Sequence, residues 1–280
     1  MASEDDHHLA RDLAVAVGHR LVELRARGGE PGDLRDAGDR TAHEFLSTEL
    51  ARLRPDDRVL SEEGADDPAR LNAARVWIVD PLDGTREFGE AGRTDWAVHV
   101  ALWERFGGDG GLPGGPPAGA GTTGNGGPAD HGDLTAGAVA LPAQDEVLST
   151  VSPPPPPPAE PPSDPVRVVI SRSRPAPFLP RMAELAGADL VPLGSAGAKV
   201  AAVLFGEADA YVHAGGQYEW DSAAPVAVAR AAGFHVSRID GSGLFYNRPD
   251  LLMPDILVCP PVLAGSLLDA IRAAQAEASS

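Results

Sequence analysis

The chain reads as an α/β protein: an α+β first half (residues 1–152), a Pro-rich linker (153–165) and an α/β second half (166–280). Three observations predict this. Helical periodicity at the start gives way to strand-like stretches, whereas strands and helices alternate from Val166 onward. The composition breaks between the two patterns. A run of β-formers, Val76 to Val79, leads into Asp80-Pro81-Leu82-Asp83-Gly84-Thr85, which places two carboxylates at the end of a buried strand.

Leu9, Leu13, Val17, Leu21 and Leu24 recur at helical spacing until Gly28-Gly29 stops them. Asp39 precedes a second amphipathic set, Phe45, Leu46, Leu50 and Leu53, and as a short acceptor it reads as an N-cap. Val59-Leu60-Ser61 is a short strand leading into Glu62-Glu63. The Val76 strand should end at Asp80, because Pro81 cannot donate to a ladder. Trp96 to Trp103 alternates as a strand.

Gly107 to Gly132 is too poor in large apolar residues to offset its ordering entropy, and reads as a disordered insertion. Leu134–Leu141 and Asp145–Val151 look like paired strands. Pro153 to Pro158 reads as a stiff polyproline spacer. Beyond it, strands at 166–170, 190–193, 208–212, 234–237 and 256–259 alternate with helices at 178–186, 196–205, 222–232 and 262–274.

The net charge of −18 argues against a nucleic-acid groove or an anionic membrane surface. An acidic protein that takes an anionic substrate needs cations to reverse the local sign. No apolar run reaches membrane-spanning length and the start lacks a signal-peptide pattern, so a cytoplasmic location is expected. The single cysteine, Cys259, excludes an internal disulfide framework and a cysteine-rich zinc site, and reads as a small buried hydrophobe.

The carboxylates outside obvious salt-bridging faces are Asp39, Glu62, Glu63, Asp80, Asp83 and Asp221. Oxygen ligands at strand ends suit Mg²⁺, Mn²⁺ or Ca²⁺. The histidines show no His-x-x-x-His spacing, which argues against a zinc hydrolase, and no Gly-x-Ser-x-Gly elbow supports a serine hydrolase. His99 and His213 read as core or edge strand residues. Gly194 to Lys199 only partly matches a phosphate loop, and by itself reads as a strand-to-helix turn with a solvated lysine. Asp221, before Ser222-Ala223-Ala224-Pro225, is either a helix N-cap or a functional carboxylate.

Together these motifs resemble a family. Asp80-Pro81-Leu82-Asp83-Gly84-Thr85, Glu62-Glu63 upstream and Trp220-Asp221-Ser222-Ala223-Ala224 downstream resemble the ordered signatures of the lithium-sensitive, Mg²⁺-dependent inositol monophosphatase-like phosphatases. Arg86-Glu87-Phe88, Ser171-Arg172-Ser173 and Ser195…Lys199 look most like the CysQ-type branch, the 3′(2′),5′-bisphosphate nucleotidases. Arg174 departs from that branch, which often has His there.

The resemblance implies a layered αβαβα sugar-phosphatase-like architecture. It implies metal ligation by Glu63, Asp80, Asp83 and Asp221, by the Leu82 carbonyl, and at a weaker site by Asp39. Gly84 and Thr85 would bind the scissile phosphate through backbone N–H groups, and Ser171, Ser195 and Lys199 would contact the nucleotide. Two or three Mg²⁺ ions, or Mn²⁺ in their place, would serve direct in-line hydrolysis without a phosphoenzyme. A Thr85–Glu63 pair would deprotonate the water, and a second ion bridged by Asp80 and Asp83 would stabilise the leaving oxygen, making Glu63, Asp83 and Thr85 the catalytic residues. The implied substrate is the small anionic nucleotide 3′-phosphoadenosine 5′-phosphate (PAP), in sulfate assimilation. Inositol-1-phosphate or fructose-1,6-bisphosphate on the same scaffold is the alternative, and a catalytically idle metal-binding module the second. Oligomeric state is left open, with a homodimer allowed.

Overall fold

The computed structural model describes residues 2–106, 132–157 and 164–278. The Gly-rich stretch at 107–131 and the Pro-run residues 158–163 lie outside them. Two long helices open the chain, α1 (Glu4–Ala26) and α2 (Pro31–Leu53). Ser3 caps α1 through a capping box with Asp6. α2 begins with Pro31 in its first turn, where the missing N–H costs nothing. Asp39 therefore lies inside a continuous helix and is not the N-cap its sequence context suggested.

The first sheet follows: β1 (Arg58–Ser61), β2 (Arg75–Asp83), β3 (Ala97–Arg105), β4 (Gly132–Leu141) and β5 (Glu146–Ser149), hydrogen-bonded in that order. β1 runs parallel to β2 and the remaining pairs are antiparallel. A short helix, α3 (Thr85–Gly89), leaves the end of β2. β2 continues past Pro81 to Asp83, beyond its expected end. The ladder slips between Asp80 and Asp83, so the proline sits in an irregularity where no donor is missed.

The second half supplies β6 (Val166–Ser171), α4 (Leu179–Ala186), β7 (Ala188–Leu193), α5 (Ala196–Leu204), β8 (Ala210–Tyr218), α6 (Glu219–Ala231), β9 (His235–Ser237), β10 (Leu252–Cys259) and α7 (Pro261–Ala278). Its sheet has the order β7-β6-β8-β10-β9. α6 begins at Glu219, three residues before its predicted start, which puts Asp221 in the first turn rather than at the N-cap.

Alternation along the strands builds the layers. Trp77, Val79, Val98 and Val100 face Leu13, Val17 and Leu46 of α1 and α2. The opposite face of the first sheet, with Val76, Ile78 and Ala101, packs on α5 and α6, which also meet Tyr211, Ile256 and Val258 of the second sheet. Val168, Val212 and Leu257 turn outward against Leu179, Leu267 and Ile271 of α4 and α7. The result is the expected αβαβα sandwich, with its central helical layer, α5 and α6, supplied by the second half and covered by a sheet from each half. At about 25 cal/mol per Å² of apolar area, this doubly covered packing is the main source of stability. Cys259 is fully buried, as anticipated, and burial pushes its thiol up to about 12.

Candidate active site

A cleft of about 320 Å³ opens where the end of β2 meets the starts of α3, α5 and α6. Asp80, Asp83 and Asp221 enter it with carboxylate oxygens within 4.8 Å of one another. Asp80 is almost fully buried. Its Oδ1 accepts the Leu82 amide at 3.1 Å, while Oδ2 has no hydrogen-bond partner among the described residues. Burial, reinforced by the charges of Glu62, Asp83 and Asp221, drives the Asp80 carboxyl well above the carboxylate range. Burial followed by the Asp83 charge lifts Asp221 to about 6. The Asp221 side chain also accepts the Tyr218 amide at 2.6 Å.

Asp83 titrates the other way. Burial would raise it, but the His99 ring, Lys199 and the Ser195 hydroxyl outweigh that and hold it below its ordinary value. Its Oδ2 accepts from Ser195 Oγ at 2.6 Å and from the Gly197 amide at 2.7 Å, and lies 3.2 Å from His99 Nε2. His99 Nδ1 in turn donates to the Trp220 carbonyl at 3.2 Å, tying β3 to the turn that carries Asp221. Gly197 permits this approach: a Cβ there would come within 2.2 Å of His99 Nε2. Ser195 has φ 41°, a region side chains seldom occupy, and its hydroxyl also accepts the Ala198 amide as the N-cap of α5.

Glu62, not Glu63, lines this cleft. The Glu62 amide extends the parallel ladder by donating to the Val79 carbonyl, so side chains at 62 and 63 leave on opposite sides. Burial of the Glu62 carboxylate and the Asp221 charge push it up to about 7. Glu63 instead lines a separate cavity with Asp36, Asp39, Arg40 and His43. The expected Thr85–Glu63 pair is replaced by a Thr85–Asp39 pair: Thr85 Oγ stands 3.1 Å from Asp39 Oδ1 and 3.0 Å from the Leu82 carbonyl. Burial and the Glu63 charge raise Asp39 to about 6.

Gly84, in left-handed backbone, starts α3, and Gly84 and Thr85 both line the cleft. Arg25 of α1 holds the far end of α3 by donating to the Glu90 and Arg93 carbonyls at 2.5 and 2.7 Å. Ser171, Ser195 and Lys199 line the cleft as well. Lys199 is buried rather than solvated, with Nζ donating to the Gly194 and Ser195 carbonyls at 2.9 and 2.5 Å. Burial lowers it to about 8, against the pull of Asp83 and Glu87.

Sequence reasoning did not assign His99, Gly197, Arg174 or Gln217 to the site, although the structure puts all four in or against it. Glu62 was separable from Glu63 only by the alternation of β1.

The donor set fits hard divalent cations. A buried oxygen on Asp80 without a hydrogen-bond partner among the described residues, and the raising of Asp80 and Asp221 by burial and then by neighbouring carboxylate charge, both call for positive charge, and every donor is oxygen.

The inositol monophosphatase family model matches residues 10–276. The chain is 47% identical over 273 residues to the 3′-phosphoadenosine 5′-phosphate phosphatase of Mycobacterium leprae, covering 95% of this chain and 93% of that one. It is 31% identical over 238 residues to the 3′(2′),5′-bisphosphate nucleotidase CysQ of Escherichia coli K12, covering 79% and 83%. The crystal structure of CysQ from Bacteroides thetaiotaomicron, a bacterial member of the inositol monophosphatase family, matches with a TM-score of 0.70 at 25% identity, over 92% of this chain and 97% of that one. The chain belongs to the inositol monophosphatase family.

Proposed function

We propose that this protein is a Mg²⁺-dependent phosphomonoesterase that hydrolyses the 3′-phosphate of PAP to AMP and phosphate, in sulfate-assimilation metabolism. The observation that carries phosphoester hydrolysis is the Thr85–Asp39 hydrogen bond beside the Asp80, Asp83 and Asp221 cluster. The choice of PAP is supported by the 47% identity to a PAP phosphatase over nearly the whole chain.

Two or three Mg²⁺ ions held by Asp80, Asp83, Asp221, the Leu82 carbonyl and Glu62 would neutralise phosphate charge and acidify a water. Thr85 donates to Asp39, which leaves a lone pair on its hydroxyl to accept from that water. As the water oxygen bonds to phosphorus, its proton passes to Thr85 and the Thr85 proton passes to Asp39. The P–O3′ bond breaks, and the departing ribose oxygen takes a proton from solvent. Asp39, raised to about 6, is a base matched to neutral pH. The proton leaves through the second cavity, which Asp39 also lines. The amides of Gly84 and Thr85 stand at the N-terminal end of α3, where a helix leaves its first N–H groups without intrahelical partners, and would hold the non-bridging oxygens in line. Asp83, fixed by Ser195 and Gly197, keeps its position as charge changes around it.

The test is phosphate release with Mg²⁺ from PAP, inositol-1-phosphate and fructose-1,6-bisphosphate. A preference for PAP of tenfold or more, about 1.4 kcal/mol of transition-state stabilisation, is expected. Preference for a sugar phosphate would move the assignment to another branch, and no release from any would leave a binding module. Asp83→Asn should abolish metal-dependent turnover while the circular dichroism spectrum persists.

A further inference from the structure

The cleft has one wall of carboxylates and another that carries cations. Lys199, on the cationic wall, directs its ammonium at two carbonyls of its own loop. Arg172 is engaged by Glu87 and Glu90, at 2.6 and 3.0 Å. Arg174, two residues further on, lines the cleft, is exposed, and forms no ion pair among the described residues. Its amide donates to Ser171 Oγ at 3.1 Å, which pins the backbone and leaves the guanidinium unclaimed.

The opposite side of the cleft is shaped to admit that guanidinium. Gly215 and Gly216 both have positive φ, and a Cβ on Gly216 would stand 3.1 Å from Arg174 Nη1. Neighbouring His213 gives its Nε2–H to the Gly215 carbonyl at 2.7 Å. No carboxylate on the cleft-lining turn between Ser171 and Arg174 competes for the charge.

We infer that Arg174 is the specificity residue for a second phosphate, receiving the 5′-phosphate of a 3′,5′-bisphosphate nucleotide whose 3′-phosphate lies at the acidic cluster. This rests on the cleft being a PAP phosphatase site. The physical argument is one of sign and shape. The acidic wall accepts one phosphate only with cations, so a second phosphate on the same substrate needs a positive group of the protein's own. Arg86 follows Thr85 directly in α3, whereas Arg174 lies in the turn after β6, on a different part of the cleft lining. A planar guanidinium with a free fork matches a phosphate dianion bidentately, which a lysine at the same place would not.

The experiment compares wild type, Arg174→Ala and Arg174→Lys on PAP and on adenosine 3′-monophosphate, with 5′-AMP and adenosine as competing ligands. Loss of a charge-assisted contact predicts a fall of about 10- to 100-fold in kcat/KM for PAP in Arg174→Ala. The same variant should keep its kcat/KM for adenosine 3′-monophosphate within about twofold, because that substrate lacks the second phosphate. Inhibition by 5′-AMP should weaken in parallel while inhibition by adenosine is unchanged, and Arg174→Lys should recover part of both losses. An unchanged PAP-to-monophosphate ratio and unchanged 5′-AMP inhibition in Arg174→Ala would overturn the inference and leave the PAP assignment standing. A wild-type chain that releases no phosphate from PAP would overturn both. Arg174 is exposed, so unfolding should not confuse the result, and matching melting curves check this.

Discussion

Thr85 Oγ stands 3.1 Å from Asp39 Oδ1, joining the first residue of α3 to the interior of α2 across 46 positions of sequence. The same hydroxyl lies 3.0 Å from the Leu82 carbonyl, so its orientation is set from two sides. Such a hydroxyl can relay a proton only while Asp39 is there to take it. Thr85→Val and Asp39→Asn should therefore each lower kcat by about 100-fold or more. The Mg²⁺ concentration for half-activation should move little, and metal titrations of initial rate on both variants check the split.

The adjacent glutamates should separate cleanly. Glu62→Gln removes a donor from the acidic cleft, and should raise the Mg²⁺ requirement and lower kcat by about tenfold or more. Glu63→Gln should spare metal activation. It should also shift the acidic limb of the pH–rate profile to lower pH, because the Glu63 charge helps hold Asp39 at about 6. Equal losses of metal affinity in both variants would argue against this division of roles.

With metal chelated, the acidic cluster should make stability depend on pH with a definite sign. Glu62 is raised from 4.5 to about 7 and Asp221 from 3.8 to about 6. Across that interval the folded chain binds more protons than the unfolded one. Stability is therefore greatest below the unfolded values, and falls as pH rises through about 4 to 7. Mg²⁺ should remove most of that slope, and at 100 times its dissociation constant should add about 2.7 kcal/mol. Thermal melts with chelator and with Mg²⁺ between pH 5 and 8 measure both effects.

A buried polar link joins the loop after β1 to the start of α6. Arg70 is 1% exposed and donates to Asn247 Oδ1 at 2.7 Å, the Arg248 carbonyl at 2.9 Å and Asp66 Oδ1 at 2.6 Å. The Asn247 and Arg248 amides donate to Glu219, each at 2.7 Å. Arg70→Met leaves several of these acceptors buried without a donor, and should cost about 3–5 kcal/mol in urea denaturation. Loss below 1 kcal/mol would mean that water replaces the guanidinium.

Sequence alone determined the fold class and the centre of the site. Helical spacing of Leu9 to Leu24, the Val76–Val79 run and the alternation after Val166 are local signals, and each corresponds to an element of the sandwich. Asp80 and Asp83 were legible as two carboxylates at a strand end, whereas Asp221, open between a helix cap and a functional carboxylate on its spacing, joined them only through the family resemblance.

Tertiary structure decided which side chains meet there. Two adjacent glutamates look alike in sequence, and only the ladder bond from Glu62 to Val79 sends one into the cleft and the other away. Asp39 resembled a cap until α2 was seen to start at Pro31. Lys199 resembled a free charge until burial turned it onto Gly194 and Ser195. The assembly around Asp83 draws on Ser195 and Gly197, more than a hundred positions away. Periodicity reports how a segment buries its own face, whereas proton relays and charge pairs depend on which faces pack together, and that is fixed only when all the layers close.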